Sequence, residues 1–407
     1  MTRRVAVTGV GVISPIGSTL KDVAESLTKG RSGVHVQEAW RSINGLNTFL
    51  GAPVDQDLSG FTKKETRTMG RVGQLAVSAT QVALKDAGMS ESDWQSIRCG
   101  IAYGSTQGSS QALIEFATQI MNSGGGLNGV RPTNYIKFMS HTCAANLGTF
   151  FGVRGRIVTT CSACTSGSQG VGFGYESIKY GMQDIMIAGG AEELHYTHAG
   201  VFDLLRATST LYNDRPDATP RPFDKDRDGL VVAEGAATLI LEEWEHAKKR
   251  DATIYAEVLG YGTTCDGAHM TSPQKDGMAS AMAVALADAR IPATQIDYIN
   301  AHATGTQIGD YTESHATLSA IGDKTPISST KGITGHALGA AGSLESVISI
   351  LALREQFLPK NYNLETLDPE CAKLNYVLET ESRKLKTVMN NNFAFGGVNT
   401  SLIFGLP

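Results

Sequence analysis

Short apolar runs rich in β-branched residues alternate along this chain with longer stretches of helical period, and glycine punctuates the changes between them. Residues 5–10 read as a buried strand running into Gly9 and Gly11, residues 20–29 as a helix, and 99–103 as a second strand. Between them the pattern predicts a loop-rich region to about residue 61 and a helix over 63–87. Further on, 157–160 is a β-branched strand, followed by a tight turn through Ser162 and Ala163 and a small-residue helix opening at Cys164 and continuing to residue 180. Strands alternating with helices give an α/β class.

The pattern repeats. Residues 82–108 (VALKDAGMSESDWQSIRCGIAYGSTQG) are echoed by 284–309 (VALADARIPATQIDYINAHATGTQIG), and 7–11 (VTGVG) by 258–262 (VLGYG). A third echo pairs 172–178 with 341–347 and sets Glu176 against Glu345. Three echoes in one order predict two similar halves, with a seam near 250–254 after a helix ending in lysines and arginine. The expected units are therefore 1–250 and 251–407.

Cys164 sits where strand meets helix. A thiol there faces the unpaired N–H groups and the positive end of the helix dipole, which predicts a pKa below the free value of about 8.5. The alternatives are an inert core thiol and a C-x-x-C pair with Cys161. Against the pair, Cys161 would still lie on the strand, and no second C-x-x-C exists for a zinc site. In the second half, His302 (NAHATGT, 300–306) follows a strand and His336 (KGITGH, 331–336) precedes the helix equivalent to the one carrying Cys164. All three fall at the sheet end where ligands bind in doubly wound folds.

Composition narrows the class. The chain has 407 residues, 41% of them hydrophobic and 18% charged, which is ample for a sizeable core. A net charge of −5 without a long basic run argues against nucleic-acid binding. Six cysteines in so long a chain form no dense disulfide framework, so a reduced, cytoplasmic protein is expected. The apolar N-terminal stretch lacks a cleavage site and reads as the first strand, and no apolar run of 18 residues predicts a membrane span. Asp224, Asp226, Asp228 and Gly229 imitate a calcium loop, but its last ligand position holds Gly235, so no metal is expected.

Five stretches taken together resemble one family: ACTSG (163–167), PFDKDRDGLVVAEGA (222–236), NAHATGT (300–306), STKGITGHALGAAGSLE (329–345) and NNFAFGGVN (391–399). They are similar to the β-ketoacyl-acyl-carrier-protein synthases of the type I/II kind, and the likeness covers nearly the whole chain. The resemblance implies a thiolase fold, two similar βαβαβαββ halves in a five-layered αβαβα arrangement, and a homodimer. It implies Cys164 as acyl acceptor, and His302 and His336 around the malonyl thioester, with their individual roles left open. Lys331 would organise the charge with Glu345, and Thr304 and Thr306 would hold the pantetheine arm. The backbone N–H groups of Cys164 and Phe395 would form an oxyanion hole, and Phe395 would also gate the site beside Gly396 and Gly397; Phe393 reads as core packing. No bound cofactor is implied, since substrates ride on the phosphopantetheine of an acyl carrier protein. Docking of that acidic partner falls to Lys63, Lys64, Arg67 and Arg71, spaced about one helical turn apart, with Arg206 nearby.

The implied reaction is a decarboxylative condensation in fatty-acid synthesis. The alternative is a ketosynthase of a polyketide or aryl-polyene pathway, paired with a chain-length-factor-like subunit. A thiolase would need a second late cysteine, and a type III synthase an asparagine where His336 stands. Ala303 replaces the family's usual glycine. Segments 104–116 and 131–145, which shape the family's acyl pocket, depart further and leave the preferred acyl group open.

Overall fold

The structure, a computed structural model, describes residues 2–407. From the first part of the chain come β1 (Val5–Ile13), β2 (Cys99–Gly104), β3 (Ile157–Thr160), β4 (Ile185–Glu192) and β5 (Gly235–Glu243). The second part supplies β6 (Ala256–Cys265), β7 (Tyr298–Asn300), β8 (Pro326–Ser328), β9 (Asn375–Tyr376), β10 (Thr387–Ala394) and β11 (Val398–Gly405). Among the described residues these form one mixed sheet, in the order β3-β2-β4-β5-β1-β6-β11-β10-β7-β8-β9. Read outward from its middle, the sheet runs β1, β5, β4, β2, β3 one way and β6, β11, β10, β7, β8 the other. The second half repeats the first and adds β9. Within the sheet the two halves join through β1 and β6, where Val5, Ala6 and Val7 pair antiparallel with Val258, Glu257 and Ala256.

Helices divide the sheet into layers. They are α1 (Arg71–Asp86), α2 (Ser110–Asn122), α3 (Pro132–Phe138), α4 (Thr142–Phe151), α5 (Ser166–Lys179), α6 (Tyr196–Leu204), α7 (Lys275–Ala289), α8 (Gln307–Ala320) and α9 (Ala341–Glu355). Helices α1 and α4 cover the outer face of the first half, and α7 and α8 the outer face of the second. Between the halves lie α5 and α9, which pack on each other and on both sheet faces. This is the five-layered arrangement expected of a thiolase fold.

The sequence echoes have a packing cause. A Cβ on Gly9 would stand 2.5 Å from the carbonyl oxygen of Ala83 and 2.6 Å from the Ala87 side chain; one on Gly260 would meet Ala285 and Ala289 at 2.5 and 2.8 Å. Each half thus needs the same glycines on its first strand so that α1 or α7 can lie flat against it. The third echo is displaced. A Cβ on Gly167 would stand 2.8 Å from the amide nitrogen of Ser343, and one on Gly342 2.6 Å from that of Ser168, so α5 and α9 cross through reciprocal Gly–Ser contacts. Gly167 therefore matches Gly342, and the counterpart of Glu345 is Gly170 rather than Glu176.

The helix expected over 63–87 begins only at Arg71, behind Gly70 in extended conformation. Upstream, Thr62 N–H and Oγ1–H both donate to the Glu65 carboxylate, closing a local turn, and Glu65–Thr68 is a 3₁₀ segment. This local bonding competes with the helix.

The α5–α9 crossing gives a direct test. Gly342→Ala forces a methyl against the Ser168 backbone and is expected to destabilise the protein by about 1–3 kcal/mol in urea unfolding. Gly60→Ala, with nothing within 4 Å of its added Cβ, should stay within about 0.5 kcal/mol of the parent. Equal effects would mean that the crossing has room to spare.

Candidate active site

Strand β3 ends in a strained elbow. Ala163 holds a left-handed φ of 49°, unusual for a residue with a side chain. The elbow is over-determined by hydrogen bonds. Thr160 Oγ1 donates to the Ser166 carbonyl at 2.8 Å, Ser166 Oγ donates to the Ala163 carbonyl at 2.7 Å, and Ser162 N–H donates to Ser166 Oγ at 3.0 Å. Cys164 lies in the single 3₁₀ turn Ala163–Thr165, ahead of α5 proper, which starts at Ser166. Its side chain is buried, 7% exposed.

Both histidines reach it. His336 Nε2 stands 3.0 Å from Cys164 Sγ, and the His302 and His336 rings meet edge to face with centroids 5.1 Å apart. One donor atom from each of the three residues falls within 4.8 Å of the others. His336 is fixed by its backbone, donating to the Val231 carbonyl at 2.7 Å and accepting from Ala233 N–H at 2.9 Å. His302 is fixed by α8. Glu313 accepts the N–H groups of His302 and Ala303 at 2.8 and 2.6 Å, and Asp310 accepts those of Thr304 and Gly305 at 3.0 and 3.1 Å. The sequence reading missed Glu313. The signal was present: two acids three apart in the first turns of a helix, just after the NAHATGT turn, fall on one helix face.

Phe393 packs its ring edge to face on His302, with centroids 6.1 Å apart, so it belongs to the site as well as to the core. Behind the histidines Lys331 is fully buried and bonds Glu345 through Nζ. Asn392 Nδ2 donates to the other carboxylate oxygen of Glu345 at 2.6 Å, another contact unread in the sequence.

Burial sets the protonation states. Burial, and after it the Lys331 charge, hold both imidazoles well below their usual 6.5. Burial also pushes the Cys164 thiol up to about 12; Lys331 and the cysteine's own N–H pull the other way, while Glu192 adds to the rise. The expected low thiol pKa is therefore corrected, because desolvation outweighs the turn's dipoles. The resting site holds a neutral thiol against neutral imidazoles. Burial likewise raises Glu313 to about 8.

A cavity of about 340 Å³ leads from surface to sulfur, lined by Cys164, His302, His336, Thr304, Thr306, Phe393 and Phe395, with Arg206 and Met270 nearer its mouth. The Thr304 and Thr306 hydroxyls lie 3.1 Å apart along its wall. Phe395 rests on Phe202, centroids 5.4 Å apart, and is followed by Gly396 and Gly397 at φ 86° and 69°, a turn only glycine makes cheaply. Gly396 N–H donates to the Met270 carbonyl at 2.7 Å, and Asp266 N–H to the Gly397 carbonyl at 2.8 Å, so a second loop clasps this turn.

Not every expected residue joins the site. Cys161 is exposed, and its thiol donates to the Thr106 carbonyl at 2.8 Å. Arg71 is committed to the buried Glu234 carboxylate through two 2.7 Å bonds and is withdrawn from the docking set. Lys63 and Lys64 precede the 3₁₀ segment before α1 and Arg67 lies within it; all three are exposed, none is on α1, and all lie outside the cavity lining. In the calcium-like loop Asp224 accepts N–H groups of Asp226, Glu365 and Thr366 and pairs with Arg221, so the backbone and an arginine occupy its oxygens. Among the described residues no helix is long and apolar enough to cross a membrane.

The comparisons with known proteins agree with this geometry. The family described as "Beta-ketoacyl synthase, N-terminal domain" matches residues 2–247, and "Beta-ketoacyl synthase, C-terminal domain" matches 255–365. The chain is 39% identical over 404 residues to the 3-oxoacyl-[acyl-carrier-protein] synthase 1 of Escherichia coli (strain K12), covering 98% of both. It superposes with TM-score 0.96 and 46% identity on a β-ketoacyl synthase from Burkholderia phymatum STM815, over 100% of both chains. It also superposes, with TM-score 0.92 and 31% identity over 100% of both chains, on AntDE:AntF, described as a type II PKS acyl-carrier protein in complex with its ketosynthase.

The raised thiol makes a kinetic prediction. Alkylation of Cys164 by iodoacetamide, followed by peptide mass spectrometry, is expected to accelerate continuously from pH 6 to pH 9, because the thiolate fraction keeps growing below a pKa of about 12. A plateau below pH 8 would show a preformed thiolate and overturn the neutral resting state.

Proposed function

The chain belongs to the β-ketoacyl synthase family, and from that premise we propose how its residues carry out the decarboxylative condensation of malonyl-acyl-carrier protein with an acyl group held on Cys164, in fatty-acid synthesis. The observation that carries the reading is the 3.0 Å contact between His336 Nε2 and Cys164 Sγ at the end of a cavity shared with His302. Ionising a thiol of pKa about 12 at neutral pH costs roughly 7 kcal/mol, so the proton moves as the new bond forms. Cys164 attacks the thioester of an acyl-carrier protein, its proton passes to His336 Nε2, and the leaving pantetheine sulfur collects it. With the sulfur acylated, His336 has lost its thiol partner and turns, with His302, to the entering malonyl thioester.

Carbon dioxide then leaves, and the electron pair of the broken C–C bond becomes an enolate whose oxygen accepts hydrogen bonds from imidazole N–H groups. The enolate carbon attacks the Cys164 thioester, the backbone N–H groups of Cys164 and Phe395 receive the tetrahedral oxyanion, and the cysteine sulfur departs as thiolate and takes a proton from solvent. Lys331 disfavours charge on both imidazoles, so His336 holds the Cys164 proton only in transit during acylation, and both rings act as neutral hydrogen-bonding groups while carbon dioxide leaves. Glu345 and Asn392 hold Lys331 in place, since neither buried charge is tolerable alone. Thr304 and Thr306 line the pantetheine path, and Phe395 swings on its glycines when the sulfur is acylated. The nucleophile comes from 1–250 and the histidines from 251–407, so catalysis needs both units together.

The acyl carrier protein docks at the cavity mouth. Arg206, exposed at φ 54°, stands there, with Lys63, Lys64 and Arg67 as a wider basic rim. A homodimer forms along β3, an edge strand that leaves Ile157 46% exposed, and draws in Leu113 and Tyr135 of α2 and α3, 40% and 51% exposed. The protein works in the cytoplasm.

Mass spectrometry with acyl-carrier protein separates the steps. Cys164→Ala should carry no acyl adduct, and Cys161→Ala should keep most activity. His302→Ala should still be acylated but release carbon dioxide about 10²–10³-fold more slowly, while His336→Ala should slow acylation too. Acylation of His336→Ala at the parent rate would remove the sulfur contact from the mechanism.

Docking is tested apart from chemistry. Arg206→Glu should raise KM for carrier-bound substrate and weaken its salt dependence, leaving turnover of a short pantetheine thioester nearly unchanged. Equal losses on both substrates would place the effect in the fold.

A further inference from the structure

We propose that Cys164, His302 and His336 also form a chelating site for a thiophilic divalent cation of the zinc class, and that capture of such an ion reversibly blocks the enzyme. This goes beyond the condensation reaction and rests on the position of three donor atoms, whatever each residue does in turnover.

One sulfur and two imidazole nitrogens are a donor set that zinc takes readily, and soft thiolate selects against magnesium and calcium. A four-coordinate zinc with bonds of about 2.3 Å to sulfur and 2.0–2.1 Å to nitrogen spaces its donors roughly 3.5 Å apart. Here His336 Nε2 is 3.0 Å from Sγ, and no pair in the trio is more than 4.8 Å apart. The short contact must open by about half an ångström and the longest must close by at most about 1.3 Å. The ring most free to turn is that of His302. Its backbone is tied to Glu313, but its buried Nδ1 has no hydrogen-bond partner.

The remaining position faces the cavity, which all three donors line, so an ion has a way in and a place for water or chloride. Binding forms a metal–sulfur bond as the S–H bond breaks, and the proton leaves to solvent; nothing is oxidised or reduced. Lys331, buried behind the histidines, is paired with Glu345, which offsets part of its repulsion of the entering ion. His336 Nδ1 is also unpartnered, so neither ligand has the acceptor behind it that tight zinc sites use. The hold is therefore loose enough for a chelator to reverse. An acylated sulfur cannot be a thiolate ligand, so metal and acyl group exclude each other.

Cobalt(II) is the probe, added to the full-length protein. One equivalent should give the intense visible bands of a four-coordinate ion and a thiolate-to-metal charge-transfer band, both removed by zinc and by EDTA. Wild-type protein alkylated beforehand at Cys164 keeps its fold and should show neither. His302→Ala should weaken binding on the order of tenfold or more. In parallel, zinc should slow alkylation of Cys164 at least tenfold, and EDTA should restore the rate. An identical cobalt spectrum from the alkylated protein, weak six-coordinate bands alone, as exposed His35, His141 and His269 would give, or an alkylation rate indifferent to zinc would each overturn the proposal.

Discussion

Two helices meet at the middle of this molecule with almost no side chain between them, and the candidate active site depends on that contact. Gly167 of α5 lies under the Ser343 backbone and Gly342 of α9 under that of Ser168. The first helix comes from the half that carries the thiol and the second from the half that carries the histidines. Their closeness lets the turn before α9 bring His336 within 3.0 Å of the sulfur at the start of α5. Glu192, at the end of β4, reinforces the junction: its buried carboxylate accepts the N–H of Gly339 at 3.1 Å and that of Thr106 at 3.0 Å, joining turns from the two halves.

Bringing the halves together also buries the site, and burial decides its electrostatics. A helix N-terminus favours a negative charge by about 0.3–2 kcal/mol. Moving the thiol from 9.0 to about 12 corresponds to roughly 4 kcal/mol in the opposite sense, so burial prevails. The same burial favours neutral imidazoles, and Lys331 would be costly there without Glu345. The site thus stores its reactivity as hydrogen-bonding groups held in place, not as separated charge awaiting a substrate.

How much could be read from sequence follows from which constraints are local. The repeat was visible because Gly9, Gly11, Gly260 and Gly262 each answer a demand made within one half, a helix lying flat on its first strand. Cys164, His302 and His336 could be named because they stand in small-residue turns at strand ends and because the family resemblance fixed their company. The third echo misled because its ESI and ESV letters look alike, whereas the true equivalence is set by the crossing of α5 on α9, which no local pattern records. Glu313, Asn392 and Phe393 act on residues 11, 47 and 91 positions away, respectively. Arg71 looked like part of a basic helical face because its partner, Glu234, lies 163 residues further on.

The duplicated scaffold explains why the site is single. Where the first half places Cys164 at the head of its central helix, the second places Gly339, and a side chain there would stand 2.6 Å from the Thr106 nitrogen and 2.9 Å from the Glu192 carboxylate. Glu345, which holds the buried lysine, is matched by Gly170, whose missing side chain lets α5 lie 2.5 Å, measured from an ideal Cβ, from the Gly189 carbonyl of β4. Each half gives up a side chain where the other needs one. A thiol in both halves would set a second sulfur against Glu192, and a glutamate in both would drive α5 off its sheet, so the two-fold frame can close only around an asymmetric set of residues.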